Sequence, residues 1–384
     1  MIAAETLARG GVAVTVFDRM ANPGRKLLLA GRGGLNLTHS EPREALLQRY
    51  GAATKCLSSA IEAFSPDDLR AWCEGLGQAT FVGTSGRVFP KAMKSSPLLR
   101  AWLLRLRELG VQFETRMLWQ GWTPDGELTF AGREQPFKAA AVVLALGGAS
   151  WPRLGSDGGW APLLAARGVD IAPLTPANCG VVIAWSDLFR SRFSGEPLKR
   201  IALTAAGISA RGEAMVTTSG LEGGAVYQLG PALRQNLTET TGGGLTLDLR
   251  PDFTIDELAT KLYRPRGKQS VSNHLRKSAG LPPVAVALLH EAGAYLPADV
   301  TELAKAIKSV PLHVTSLAPI ERAISTAGGI AWPELDPHFM LRKLPSVFAA
   351  GEMLDWEAPT GGYLLQACFS TGVAAAKGVL AYLE

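Results

Sequence analysis

One stretch near the carboxyl terminus, residues 347–383, constrains the fold more than any other. Its first four residues, Val-Phe-Ala-Ala, are apolar and predict a buried strand that ends at Gly351. A glycine turn follows, and the Ala- and Gly-rich apolar run after it, which reaches Leu383, predicts a helix. The sequence therefore predicts a strand, a turn and a helix in this order.

The turn of this unit carries groups that suit an anionic ligand. Gly361 and Gly362 have no side chain, so backbone amides can come close to an anion, and the helix that follows carries partial positive charge at its start. An acidic residue, Glu352, follows the strand, and Asp355 lies three residues later. These parts resemble the second FAD signature of flavoproteins with two dinucleotide folds, in which an acidic residue meets the ribityl chain or ribose. For the glycine pair alone a plain strand-to-helix connection is the favoured interpretation, and which acid meets the cofactor is open.

Composition indicates a folded chain with more than one domain. The chain has 384 residues, of which 47% are hydrophobic and 19% charged, so it can bury two or three cores and is not disordered. The longest apolar run, residues 139–149, is too short for a membrane span, and no secretory signal is visible, so we expect a cytoplasmic protein without a membrane partner. Four widely spaced cysteines favour buried thiols over a disulfide frame or a metal site.

The amino-terminal residues fit the second half of a βαβ unit. Residues 1–11 predict a helix closed by glycine, and residues 12–17 predict a strand that ends at Asp18. In a dinucleotide fold the acidic residue on the ribose follows the glycine fingerprint by about 20 residues, which would place the fingerprint before residue 1. We therefore expect Met1 to be an internal methionine of a longer protein, with a rearranged sheet as the alternative.

Residues 22–39 are rich in glycine and basic, which predicts a loop that cradles phosphate. Lys26 and Arg32 supply positive charge, the glycines expose amides, and Asn36 and Thr38 offer side-chain hydrogen bonds. For any one of these residues a solvated loop is the better interpretation. For the whole run, the composition favours a site.

The middle of the chain alternates between helices and strands before it changes character. Helix starts are predicted at Ser65-Pro66 and Ser96-Pro97, where a capping residue precedes proline, and residues 139–145 predict a fully buried strand. From 178 to about 250 strands alternate with glycine turns, and residues 254–309 are helical in pattern. This change predicts a separate module.

A basic run, residues 264–268, lies between two helices of that module. A solvated loop with a proline break is favoured over a nucleic-acid patch, because no aromatic residues interleave with the charges. The net charge of +5 permits an acidic ligand without indicating nucleic acid.

The order of these motifs resembles the BaiN/RdsA family of FAD-dependent oxidoreductases, which includes aminoacetone oxidase-like enzymes. The resemblance covers nearly the whole chain and rests on residues 24–38, 145–152, 155–158, 326–330 and 351–363. It implies an α/β fold in which a Rossmann-like FAD domain of the two-dinucleotide-binding type is split by an inserted β-barrel-like and helical region. The two FAD segments would be residues 1–177 and 320–384, and the insert residues 178–319.

The chain departs from the family pattern at three places. The glycine fingerprint does not occur, Gly34-Leu35-Asn36 stands where many members carry Arg-Cys-Asn, and Leu146 replaces the threonine of an Ala-Thr-Gly signature. The last two departures indicate a side branch, and only the first bears on cofactor binding.

The resemblance also implies which residues contact FAD. Asp18 and Arg19 would lie at the adenosine ribose, and Trp119 would offer backbone groups to the adenine. The residues expected along the rest of the cofactor, including both candidate acids and both turn glycines, are Lys26, Gly33, Asn36, Thr38, Ala145, Gly147, Gly351, Glu352, Asp355, Gly361, Gly362, Tyr363 and Leu364.

The implied activity is hydride transfer between FAD and a small organic substrate. NAD(P)H is the candidate electron donor, and amine oxidation by oxygen is left open beside it. No catalytic acid or base is identified, since Tyr363 could be either a donor near the ring or a packing residue. The alternatives are a flavin-fold protein that binds a partner or RNA without redox turnover, and an inactive truncated product. The oligomeric state is not predicted.

Overall fold

The computed structural model describes residues 1–31, 33–239, 243–293 and 296–384. Arg32, expected to supply charge in the glycine-rich loop, lies outside these residues. The chain divides into two compact units, one formed by Met1–Thr175 with Ser325–Glu384 and the other by Pro176–Ile324. The predicted insert, residues 178–319, lies within the second unit.

The helices and strands of the described residues are numbered in chain order. The helices are α1 (Ile2–Arg9), α2 (Arg25–Ala30), α3 (Arg43–Gln48), α4 (Thr54–Ala63), α5 (Pro66–Gly75), α6 (Ser95–Glu108), α7 (Ala161–Ala165), α8 (Asp187–Phe193), α9 (Gly224–Tyr227), α10 (Gly230–Glu239), α11 (Ile255–Leu262), α12 (Val271–Ser278), α13 (Pro283–Glu291), α14 (Val300–Lys308) and α15 (Tyr363–Leu383). The strands are β1 (Thr15–Asp18), β2 (Thr38–His39), β3 (Thr80–Val82), β4 (Arg87–Pro90), β5 (Gln112–Thr115), β6 (Leu118–Trp122), β7 (Leu128–Ala131), β8 (Val142–Leu144), β9 (Ile171–Ala177), β10 (Val181–Val182), β11 (Pro197–Ala205), β12 (Ile208–Thr217), β13 (Gly220–Glu222), β14 (Gly243–Asp248), β15 (Val310–Val314), β16 (Ser316–Leu317), β17 (Ser325–Ile330) and β18 (Val347–Ala349).

Two parallel strand pairs lie in the first unit. β1 pairs with β5, and β18 pairs with β8, each in parallel register. In the described part of the chain neither pair has a further strand in its sheet, although Phe348 of β18 also forms an isolated bridge with Met340. Parallel strands with helices between them give the α/β class that the sequence predicts.

The core of this unit is α15, which packs against α1 and α4. Gly372 allows the close approach of α1, because a Cβ there would lie 2.5 Å from Ile2 Cγ2. Gly378 allows the segment before β18 to approach, because a Cβ there would lie 2.2 Å from the His338 carbonyl oxygen. By length and composition α15 could cross a membrane, but 61% of that stretch is buried inside the protein, as in the core helix of a folded domain.

A buried carboxylate attaches α1 to the rest of the unit. Glu5, only 2% exposed, accepts hydrogen bonds from the indole nitrogens of Trp72 and Trp102 at 3.0 and 2.8 Å. Arg105 and Arg9 donate to its other oxygen. Because both oxygens are bonded and two cations lie beside them, the negative charge is compensated in the interior.

Two local predictions need correction, whereas the cap of α5 is confirmed. Ser65 caps α5 with Pro66 in its first turn, as predicted. However, α6 begins at Ser95, so the predicted cap Ser96 lies inside the first turn, and the N-cap residue Lys94 forms no side-chain capping hydrogen bond. The strand predicted to be fully buried is limited to Val142–Leu144, of which only Leu144 is buried, since β8 has a single neighbouring strand.

The second unit is built on a seven-stranded antiparallel sheet in the order β15-β14-β11-β12-β13-β10-β16. Only Thr315 separates β15 from β16, so one stretch of chain pairs with β14 at one end of the order and with β10 at the other. The sheet therefore closes on itself in a barrel-like way. Helices α8 to α14 belong to the same unit, which confirms the predicted β-barrel-like and helical insert.

Cysteine use differs in part from the expectation. Cys73 and Cys179 are buried, Cys56 and Cys368 are only partly buried, and none of the four forms a disulfide. Burial raises the pKa of the Cys73 thiol to about 12. No group of His, Cys, Asp and Glu that could hold a metal ion is found among the described residues.

Candidate functional site

The acid that follows β18 lies at the centre of a polar cluster. Glu352 is 7% exposed, and its Oε2 accepts a hydrogen bond from Lys26 Nζ at 2.8 Å. Its Oε1 accepts one from the Thr326 backbone amide at 3.0 Å. The Lys26 amine also donates to Ser150 Oγ at 3.1 Å and Ser156 Oγ at 3.3 Å. These five residues, the Glu352 cluster, join α2, the loop after β8, β17 and the turn that follows β18. The segment predicted as a phosphate-cradling loop therefore forms a helix at Lys26.

The glycines after β8 are fitted into this cluster. Gly148 donates its amide to Glu352 Oε2 at 3.4 Å, and a Cβ on it would lie 2.3 Å from Thr326 Oγ1. Gly147 has φ +75°, in the left-handed region that favours glycine. Both predicted residues after this strand, Ala145 and Gly147, come directly beyond its carboxyl end, where Ala145 is exposed.

The start of α15 lies against the basic loop. A Cβ on Gly362, whose φ is +95°, would be 2.6 Å from Thr38 Cα. This corrects the sequence argument, because here the missing side chain makes room for the chain's own backbone. At Gly361 a Cβ would collide with the Tyr363 ring at 2.6 Å.

Three predicted site residues carry buried polar atoms without a partner. Asn36 Oδ1, Thr38 Oγ1 and Trp119 Nε1 are buried and make no hydrogen bond among the described residues. Thr38 itself is fully buried. Nearly all buried polar groups in folded proteins are hydrogen-bonded, so each exception calls for an explanation such as a ligand. We call Asn36 and Thr38 the Thr38 strip.

The Tyr363 ring is enclosed by groups that the sequence analysis did not identify. The His39 ring stacks on it with centroids 5.4 Å apart, and Arg49 lies over its face at 5.8 Å. Burial raises the pKa of Tyr363 above its usual value, and Glu41 adds to the rise against the opposing effect of Arg49. The Tyr50 hydroxyl donates to the Tyr363 carbonyl at 2.9 Å. His39 and Glu41 follow Thr38 directly in sequence, a signal that could have pointed to them.

Asp18, the acidic residue predicted at the adenosine ribose, has only one of its two carboxylate oxygens hydrogen-bonded within the described residues. Asp18 Oδ1 accepts a hydrogen bond from the Met20 amide at 2.8 Å, and no partner is found for Oδ2 in the described part of the chain. Burial raises the pKa of Asp18. Arg19, predicted beside it, is instead paired with Asp157. Burial raises the pKa of Asp157, but the hydrogen bond from Arg19 outweighs it and the pKa falls below its usual value.

The remaining predicted residues occupy varied surroundings. Asp355 forms no side-chain hydrogen bond within the described ranges, and burial, with Glu357 nearby, raises its pKa. Gly351 donates its amide to Thr371 Oγ1 at 3.0 Å, which fixes the end of β18 to α15. Gly33 is exposed and Leu364 is partly buried.

Comparison with known proteins gives the family. A family profile described as "HI0933-like protein Rossmann domain" matches residues 1–378. The chain belongs to the HI0933-like family. The family and the Rossmann-type fold predicted from the sequence are thereby confirmed.

Relatives of this HI0933-like chain include enzymes with two different names. A 3-dehydro-bile acid delta(4,6)-reductase of Clostridium scindens is 25% identical over 98% of this chain and 95% of that protein. A ribosomal RNA dihydrouridine synthase of Haemophilus influenzae is 23% identical over 99% of this chain and 95% of that protein. One of Escherichia coli is 24% identical over the same shares. Together with the family match, these relatives support a flavin redox role.

Solved structures share the fold of this HI0933-like chain. The open conformation of a flavocytochrome c3 fumarate reductase has a TM-score of 0.53 at 14% identity, over 99% of this chain and 76% of that one. A 3-ketosteroid delta1-dehydrogenase of Sterolibacterium denitrificans has a TM-score of 0.51 at 12% identity, over 99% and 97%. At this identity the likeness shows the fold alone.

The described residues fit a flavin adenine dinucleotide. The Thr38 strip offers two buried oxygens, and Thr38 lies against Gly362 at the start of α15, where main-chain amides are not capped by a side chain. Trp119 offers an indole N–H, and Asp18 offers a carboxylate oxygen. Donors and acceptors of these kinds match the mixed polar edges of a dinucleotide. Among the predicted site residues, Gly147 contacts the Glu352 cluster and Gly362 contacts Thr38. The Trp119 ring packs against the Trp122 ring.

Proposed function

We propose that this chain is an FAD-dependent oxidoreductase that reduces a carbon–carbon double bond conjugated to a carbonyl group. The observation that carries the cofactor assignment is the pair of unpartnered buried oxygens of the Thr38 strip beside the uncapped start of α15. FAD, when bound, supplies reversible two-electron redox chemistry. The Thr38 strip would bind the cofactor by hydrogen bonds, and Asp18 would accept from a ribose hydroxyl.

The residues around the cofactor have separate tasks in this proposal. The first amides of α15 stabilise negative charge on the bound cofactor, because the start of a helix carries partial positive charge. The Glu352 cluster fixes the loops that surround the ligand. Tyr363 is 5% exposed and interacts with Glu41 and Arg49, so we assign it to the wall of the site and do not assign it a proton.

The substrate class comes from what the relatives' names have in common. A delta(4,6)-reductase of a 3-dehydro-bile acid and a dihydrouridine synthase both describe saturation of a carbon–carbon double bond. In both compounds the double bond is conjugated to a carbonyl, which withdraws electrons and makes the carbon a good hydride acceptor. The shared chemistry supports a conjugated carbonyl compound as substrate. NAD(P)H is the electron donor that we propose for this two-electron reduction.

Anaerobic spectroscopy of the purified protein tests this proposal. We expect the flavin absorbance to bleach with NADPH or NADH and to return when a conjugated ketone or a uridine-containing RNA is added. An amine such as aminoacetone should not bleach it. Bleaching by the amine with recovery in oxygen would replace the proposal with an amine oxidase, and purified protein that binds no FAD on addition would overturn it altogether.

A further inference from the structure

One stretch of the second unit has a strongly one-sided charge. Residues 258–290 contain Lys and Arg side chains but no Asp or Glu. Five of these basic residues are exposed, and we call them the basic face: Arg264, Arg266, Lys268, Arg276 and Lys277. They lie on the loop between α11 and α12 and on the last turn of α12.

The charge of the basic face is not compensated within the described residues. None of its members forms an ion pair there, whereas Arg211, Lys305 and Lys308 of the same unit each pair with a carboxylate. Unpaired, exposed cations concentrate positive potential on one surface. Such a surface attracts a polyanion.

An open surface cavity borders the basic face at Arg276 and Lys277. It has a volume of about 370 Å³ and is lined by Asn273, Arg276 and Lys277 on its polar side and by Leu281, Pro282 and Pro283 on its apolar side. This volume falls in the range of small-ligand sites, roughly 300–1,000 Å³. A cavity with cations beside an apolar wall suits a nucleotide, whose phosphate and base require different surroundings.

An exposed aromatic side chain directly precedes the basic run. Tyr263 is 79% exposed and directly precedes Arg264. An exposed aromatic ring beside guanidinium groups is a platform on which an unpaired base can stack.

We propose that the basic face docks RNA, with Tyr263 as a stacking platform and the cavity at Arg276 and Lys277 as a nucleotide subsite. This inference rests on the proposed function, for which it names a uracil base in RNA as the reduced group. A membrane surface is disfavoured because, among the large apolar residues of residues 263–283, only Tyr263 and Val271 are exposed, and an interfacial site needs a broad apolar face. Two relatives named for ribosomal RNA, matched over 99% of this chain, agree with RNA as the partner.

Fluorescence anisotropy with a labelled uridine-rich RNA hairpin tests the docking surface. The double variant Arg264→Glu and Arg266→Glu should weaken binding by roughly tenfold or more, and should flatten the dependence of log affinity on log salt by about two. Tyr263→Ala should weaken binding by roughly fivefold or more with an unchanged salt slope. The matched control is Arg192→Glu with Lys199→Glu, two exposed residues of the same unit outside the basic face, and it should bind RNA nearly as well as the parent.

The outcomes separate this inference from the proposed function. RNA binding that depends on the basic face supports the docking surface even if NADPH fails to bleach the flavin, a result that would overturn only the proposed function. Equal losses in the two double variants, or no binding of the hairpin at 100 mM salt, overturn the docking surface. So does binding to anionic lipid vesicles that the hairpin cannot displace. Each variant should keep the parent's flavin spectrum, which shows that it is folded.

Discussion

The Glu352 cluster and the Thr38 strip differ in how their buried polar atoms are satisfied. Glu352 accepts hydrogen bonds from Lys26 and Thr326, so its charge is both neutralised and bonded. In the Thr38 strip two buried oxygens have no partner in the described part of the chain. A buried polar group without a hydrogen bond costs about 1–3 kcal/mol, so the folded chain retains such groups at the expense of stability.

This difference indicates a division of labour. A fully bonded cluster holds chain segments in place whether or not a ligand is present, whereas an unsatisfied strip becomes favourable only when a ligand supplies the missing bonds. Substitutions in the first region should therefore change the free energy of unfolding, and substitutions in the second should change ligand affinity.

The largest effect is expected at Gly362, which packs against the Thr38 backbone. Gly362→Ala places a Cβ 2.6 Å from Thr38 Cα, in a left-handed backbone, and should lower the free energy of unfolding by about 3–5 kcal/mol and reduce bound flavin. Gly110→Ala is the matched control, since its φ is +80° but nothing lies within 4 Å of the added Cβ. Urea unfolding of both variants separates backbone strain from the collision. Equal losses would show that Thr38 does not pack against this glycine.

The next effect tests the Glu352 cluster. Lys26→Met leaves the buried Glu352 carboxylate without its cation and should lower the free energy of unfolding by about 2–3 kcal/mol, less than for a fully buried pair because Lys26 is partly exposed. Lys305→Met removes a surface ion pair with Glu302 and should cause no measurable change. If both variants unfold at the same urea concentration as the parent, the cluster does not hold the loops together.

A smaller effect is expected in the Thr38 strip, where a substitution should lower FAD affinity without lowering the free energy of unfolding. Thr38→Val keeps the shape of the side chain but removes the unpartnered hydroxyl, so the flavin-free protein should be as stable as the parent or up to about 1 kcal/mol more stable. FAD affinity, measured by fluorescence quenching, should fall by roughly tenfold for the lost hydrogen bond. In the control Thr54→Val, whose hydroxyl bonds the Leu47 and Gly51 carbonyls, stability should fall and FAD affinity should not.

The sequence could predict the elements whose signals are local. The strand at 347–349 and the helix at 363–383 follow from apolar runs and a glycine turn, and the Ser65 cap follows from a four-residue pattern. The closure of the sheet in the second unit could not be read in this way, because it depends on pairing of β14 with β15 and of β10 with β16 across long sequence separations.

The same limit applies to the candidate site. The glycine-rich basic run indicated Lys26 and Thr38, and the end of a strand indicated Glu352, but neither showed which atoms would be satisfied by the protein itself. The bond between Lys26 and Glu352 joins residues 326 positions apart, and the contact of Gly362 with Thr38 is equally distant in sequence. Tyr50 likewise has no local signal, since only the fold brings its hydroxyl to the Tyr363 carbonyl.

The smallest effect is expected at Asp18, where one carboxylate oxygen accepts a hydrogen bond and the other has no partner among the described residues. Its Oδ1 accepts from the Met20 amide, and burial raises its pKa above the ordinary value of 3.8. Asp18→Asn keeps an oxygen for Met20 but places an NH₂ group at the spare acceptor, so FAD affinity should fall several-fold while FMN, which lacks the adenosine ribose, binds as before.

Because the raised pKa means that ionised Asp18 opposes folding, the variant should be slightly more stable than the parent at pH 7. That gain should shrink as the pH falls through the raised pKa and vanish below the unfolded value, near about 3.9. Asp125→Asn, at an exposed turn, is the control for both measurements. Equal losses of FAD and FMN, or a stability gain that does not depend on pH, would show that Asp18 is only the end of a strand.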